Sequence, residues 1–97
     1  MAGRARDPSP EACIDLHGCT RQEALRRLGW ELHACRVRRC SELLVITGAG
    51  HSSRSGEPVL RDAVEGFLRS RSARRLGVSS FHRTHRAGAL VVRLTVP

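Results

Sequence analysis

Two short apolar runs on either side of one long amphipathic stretch constrain this chain more than any other feature: Ala12 to Leu16, then Thr20 to Arg39, then Leu43 to Ile46. Runs as short as the first and last suit strands, whereas the middle stretch places Ala24, Leu25, Leu28, Leu32 and Cys35 at helical spacing. Thr20 and Glu23 form a Thr-x-x-Glu capping box that marks where the helix begins. Strand, helix and second strand close into a right-handed unit whose two strands are parallel. Both strand-to-helix loops then lie along one edge of the sheet, at the strands' carboxyl ends, where open α/β sheets bind ligands. Trp30 falls off the apolar stripe and is expected to cover the helix edge or a neighbour.

The rest of the chain extends this unit. Leu43 to Ile46 is apolar at every position and reads as a central strand buried on both faces, and the first strand likewise reads as flanked by helices. A second helix is predicted from about Glu57, with Pro58 in its first turn and a stripe of Val59, Leu60, Ala63, Val64, Phe67 and Leu68. The arginine-rich run from Arg69 to Arg75 closes that helix and leads into a loop, either as a solvated helix end or as a phosphate-contacting patch. Val78 to His82 and Ala89 to Val96 read as two strands joined around Ala87 and Gly88 in an antiparallel hairpin. The order βαβαββ predicts an α/β two-layer sandwich of about four strands with two helices packed on the sheet. Ninety-seven residues make a single domain, read as a flexible leader over 1–10 followed by the folded unit over 11–97.

Charge points to the partner. The 17 basic residues are all Arg, against 9 acidic ones, and the net charge of +8 favours a polyanion. The guanidinium fork also matches phosphate bidentately. With only Trp30, Phe67 and Phe81 as aromatics, a base-stacking platform is not expected, and backbone and shape contacts are. Cys13, Cys19, Cys35 and Cys40 follow no apolar signal segment, so a reducing, cytoplasmic location with small buried or partly buried thiols is expected. Their spacings lack a Cys-x-x-Cys knuckle, so no structural zinc is expected. No apolar run approaches the ~20 residues needed to span a bilayer.

Two segments carry candidate chemistry. In Ile14-Asp15-Leu16-His17-Gly18, Asp15 and His17 are two apart in a strand and share a face, while Ile14 and Leu16 point the other way. The loop from Thr47 to Gly56 contains three glycines, Gly48, Gly50 and Gly56, and can bring backbone N–H groups close to an anion just before a helix.

Together these segments resemble the Smr (small MutS-related) domain family, over about Ala12 to Val96. Ile14 to Gly18 is similar to the family's Leu-Asp-Leu-His-Gly signature, Thr47 to Gly50 to its Thr/His-Gly-x-Gly loop, and Gly88 with the strand after it to the family's ending. The family loop often continues Gly-x-Gly-x-His-Ser; here the histidine is His51 and the matching position is Ser52, a shift of one. The resemblance implies an endonuclease of little sequence specificity that nicks DNA or cleaves RNA. The alternatives are a non-catalytic DNA- or RNA-binding module and a protein-interaction domain.

On that reading, Asp15 holds a hydrated Mg²⁺ or Mn²⁺ ion or orients a base, and His17 acts as general acid or base. Thr47, Gly48, Gly50, His51, Ser52, Ser53, Arg54 and Gly56 hold the phosphate. A lone carboxylate does not suggest two metals. The structural alternative has Asp15 capping the first helix or bonding loop amides, with His17 donating to a backbone carbonyl. His33 is expected on the surface, and His82, Arg83, His85 and Arg86 either touch a phosphate or are exposed turn residues.

Overall fold

The computed structural model describes residues 12–48, 56–84 and 88–95. Its elements are β1 (Ala12–Asp15), α1 (Arg21–Arg38), β2 (Glu42–Ile46), α2 (Gly56–Leu68), α3 (Arg71–Arg75), β3 (Val78–Arg83) and β4 (Ala89–Leu94). β1 and β2 pair in parallel, with Ala12 opposite Leu43 and Asp15 opposite Ile46. β4 lies between β2 and β3 and is antiparallel to both, giving the order β1-β2-β4-β3. This is the α/β two-layer arrangement that the sequence predicts, with the closing hairpin folded back into the sheet.

The path from β1 to β2 and the path from β2 to β3 step across the sheet in the same direction. Right-handed connections therefore place their helices on the same face. Burial follows that geometry: Leu43, Val45, Leu90 and Val92 are fully buried under the helices, while Leu44, Ile46 and Val91, which point the other way, are half-buried. The expectation of a central strand buried on both faces is corrected, because one helical layer covers one side of the sheet. β1 shows the same split, with Ile14 buried and Cys13 and Asp15 exposed.

α1 owes its start to the predicted capping box. The Glu23 amide donates to Thr20 Oγ1 and the Thr20 amide to Glu23 Oε1, each at 3.1 Å. Its inner face buries Ala24, Leu28, Leu32 and Cys35. Burial pushes the Cys35 thiol up to about 11, with Cys40 adding to the effect. All four thiols are free, and they range from exposed (Cys13) through half-buried (Cys19 and Cys40) to buried (Cys35). Trp30, expected to cover the helix edge or a neighbour, is 70% exposed.

The arginine-rich run departs from its predicted loop. The Ser70 hydroxyl donates to the Phe67 carbonyl at 2.6 Å and accepts from the Ala73 amide at 3.3 Å. It thus closes α2 and caps a new helix, α3, whose Ala73 is buried in the core. Beyond α3, α2 is tied to β3 by Glu65, a carboxylate only 6% exposed that accepts from Arg83 Nε at 2.8 Å and Nη2 at 3.2 Å. Arg69 approaches the same carboxylate at 3.8 Å and lies 5.6 Å over the Phe81 ring. The hydrogen bonds from Arg83 are the main reason that the Glu65 carboxyl is held below its usual range. Among the described residues no helix is long and apolar enough to cross a membrane.

Two stability measurements check this account. Thr20→Ala is expected to cost about 1 kcal/mol in urea unfolding, the usual worth of an N-cap. Glu65→Gln is expected to cost about 1–3 kcal/mol at neutral pH, the worth of hydrogen bonds to a buried charge. Because the folded carboxyl titrates below its unfolded value near 4.5, the wild type holds this advantage above that pH and loses it as pH falls through the lowered value. The two unfolding curves should converge in acid.

Candidate functional site

The site begins where β1 ends. The Leu16 amide donates to the Ile46 carbonyl at 2.7 Å, carrying the parallel ladder one residue beyond the strand. The chain then turns at Gly18, whose φ of 82° is a conformation that side-chain-bearing residues avoid, and the Cys19 amide closes the turn on the Leu16 carbonyl at 3.0 Å. With Ile14 and Leu16 sunk in the core, Asp15 and His17 project toward solvent.

These two side chains form a pair. His17 Nδ1 lies 2.6 Å from Asp15 Oδ1, and the His17 backbone amide donates to the same oxygen at 3.0 Å. The hydrogen bond from the His17 side chain is the first cause holding the Asp15 carboxyl below its usual range, helped by the backbone bond and by the charge of Arg27. An ionised Asp15 can only accept, so Nδ1 carries the hydrogen in this bond. The side chains are 49% and 67% exposed, respectively. Thr20, not Asp15, caps α1.

Thr47 and Gly48 follow directly on the neighbouring strand, β2, and Thr47 is buried. The Thr47 amide, the Gly48 amide and Thr47 Oγ1 all donate to the Gly88 carbonyl, at 2.7, 3.2 and 3.3 Å. Thr47 is 1% exposed. Both residues therefore knit the end of β2 to the turn that precedes β4. Gly56 opens α2, so the loop runs into a helix start. Gly50, His51, Ser52, Ser53 and Arg54 lie outside the described residues, as do His85, Arg86 and the leader over 1–10.

The other two described histidines lie on different elements from the Asp15–His17 pair. His33 is exposed on α1, and His82 is exposed on β3 opposite Val91. Arg83 is drawn to Glu65 on the helix side, away from His82. At the far end of α1, Arg36, Arg74 and Arg75 line a groove of about 260 Å³.

Among the described residues no group of three His, Cys, Asp or Glu side chains is placed to hold a metal ion. A cation at Asp15 would rest on one carboxylate, with water completing its shell. That donor set suits Mg²⁺, which keeps most of its waters.

One feature of the site is only faintly marked in the sequence. A groove of about 400 Å³ runs between β1 and α1, lined by Cys13, Ile14, Asp15, Arg27, Trp30 and Glu31. Arg27, Trp30 and Glu31 recur at spacings of three and four, so they share one face of α1, and this spacing was the signal available in the sequence.

The Smr domain family profile matches residues 14–95. Among solved structures, the chain is similar to the Smr domain of MutS2 from Thermus thermophilus, at 30% identity and a TM-score of 0.71, covering 87% of this chain and 98% of that one. It is also similar to the Smr domain of B3BP, at 28% identity and a TM-score of 0.68, covering 89% and 80% of the two chains. A third similar structure is the Smr domain of NEDD4-binding protein 2, at 28% identity and a TM-score of 0.65, covering 94% and 93%. No curated protein sequence matches the chain significantly. The matched span includes the Asp15–His17 strand end, Thr47, Gly48 and the closing hairpin, and the chain belongs to the Smr domain family.

Proposed function

We propose that this Smr domain is an endonuclease of low sequence specificity that hydrolyses phosphodiesters of DNA or RNA at the Asp15–His17 strand end. The observation that carries the reading is the 2.6 Å contact between His17 Nδ1 and Asp15 Oδ1 at a solvent-open sheet edge. Membership in the Smr family supports it, since that family includes nucleases and nucleic-acid-binding members. The net charge of +8 supports a polyanionic substrate.

In this mechanism Asp15 fixes the ring so that Nε2 takes a proton from the attacking water or hydroxyl, and its negative charge stabilises the imidazolium that forms. The protonated ring can then return the proton to the leaving oxygen. The loop around Gly50 to Arg54 supplies hydroxyls and a guanidinium for the phosphate. Asp15 Oδ2 would hold a hydrated Mg²⁺ or Mn²⁺ ion, whose chemistry there is neutralisation of charge on the phosphate. The openness of the pair favours a second reading, a DNA- or RNA-binding module. Electrostatic catalysis works best where water is excluded, and this site is wet.

A cleavage assay separates the two. Supercoiled plasmid and structured RNA are incubated with purified protein in Mg²⁺, Mn²⁺ or EDTA, beside Asp15→Ala and His17→Ala. The enzyme reading expects each variant to lose about 10²- to 10⁴-fold in rate while affinity changes less than about threefold. Absence of cleavage by the wild type in every condition, with binding retained, would establish the binding module instead. Binding to either substrate is expected to weaken with salt at a log–log slope near −0.7 to −0.9 per phosphate contact, whereas an apolar protein interface would be nearly indifferent.

A further inference from the structure

The groove between β1 and α1 combines features that the cleavage chemistry does not require. Trp30 is the chain's sole tryptophan, and it stands 70% exposed in the middle of an 18-residue helix. The neighbouring helix position is Gly29, where an added Cβ would meet nothing within 4 Å, so no packing contact calls for a glycine there. A bare helix surface beside an exposed indole costs helix stability and wastes burial. Arg27 stands one turn earlier, where its Nη1 donates to Cys19 Sγ at 3.2 Å and holds the guanidinium near the end of β1. Glu31, the acid on the same wall, is turned toward Arg38 Nη2 at 3.4 Å. β1 is the outermost strand, so the groove is open along the sheet edge.

We propose that this groove seats one unpaired nucleotide next to the scissile phosphodiester, its base stacked on the indole of Trp30 and its phosphate on Arg27. The inference rests on the nucleic-acid reading above and narrows the substrate to strands with an unpaired base at the cleavage point. Asp15 lines the same groove, so a nucleotide lodged there lies against the acid that orients His17. A volume of about 400 Å³ falls in the size range of small-ligand sites. An indole recognises any base by its π-face, so the site adds a preference for strand state without adding one for sequence. A paired base within a duplex is already stacked on its neighbours and has no free face to offer. The low aromatic content argues against a platform for a long single strand, and a single indole is consistent with a single base.

Because Trp30 is the sole tryptophan, its fluorescence reports on this groove without a label. The full chain is titrated at low salt with a 5′-labelled ten-residue oligothymidylate and, separately, with a 5′-labelled blunt-ended duplex of two complementary strands. Anisotropy of the label follows binding while indole emission follows the groove. The expected result is quenching that tracks the single-strand isotherm. Trp30→Ala should weaken single-strand affinity about 5- to 100-fold, the range of one base–aromatic stack, with duplex affinity within about twofold. Trp30→Phe should recover most of the loss, and Arg27→Ala should lower the single-strand salt slope by about 0.7. Circular dichroism of the variants checks that these surface changes leave the fold intact. Binding seen by anisotropy with unchanged indole emission and full affinity in Trp30→Ala would overturn the stacking site while leaving the nucleic-acid reading in place. No binding of either oligonucleotide would overturn both.

Discussion

The parallel pairing of β1 on β2 is the constraint on which the rest of this molecule depends. It sets Asp15 opposite Ile46 and is prolonged by the bond from the Leu16 amide to the Ile46 carbonyl. Side chains alternate along a strand, so the register that buries Ile14 and Leu16 is the same register that exposes Asp15 and His17. A slip of one residue would drive a carboxylate into the core and leave two aliphatic side chains in water. The hydrophobic effect thus enforces the exposure of the candidate site, although it makes no contact with either polar side chain.

Two buried polar ties then fix elements that hydrophobic packing alone would leave free to slide. One is the set of three donors from Thr47 and Gly48 converging on the Gly88 carbonyl, and the other is the clasp of Glu65 by Arg83. Each joins segments far apart in the chain, and each satisfies groups that would be costly to bury unpaired. The first tie also divides labour within the glycine-rich loop. Its opening residues serve the architecture, because their amides are engaged by the Gly88 carbonyl.

The count of 17 arginines overstates the basic surface available to a partner. Arg38, Arg69, Arg83 and Arg93 stand in ion pairs with Glu31, Glu65 and Glu42. Arg27, near Asp15, and the group of Arg36, Arg74 and Arg75, at the far end of α1, have no such acidic partner among the described residues. Placement, more than number, decides which guanidinium groups can meet a phosphate, since exposed charges act over roughly a Debye length of 8–10 Å.

Much of this was legible in the residues themselves. Thr20 and Glu23 announced the start of α1 because a capping box is a local bargain between side chains three apart. The alternation around Asp15 and His17 was equally local, and so was the apolar spacing of both long helices. The run from Arg69 to Arg75 reads as a helix end leading into a loop because its arginines suit one; only the bonds of Ser70 to Phe67 and Ala73 show that one helix stops and another starts there. The one-sided sheet was also hidden, since Leu44 and Ile46 are as apolar as Leu43 and Val45, and the hand of two crossovers decides which pair lies beneath the helices. The sequence by itself determined six of the seven elements, the parallel unit and the shared face of an acid and an imidazole, because these follow from periodicity over a few residues. Only the tertiary structure decided that Thr47 faces Gly88, that Arg83 belongs to Glu65 and that Trp30 borders the groove of Asp15, because each is a contact between segments whose separation in the chain carries no local signal.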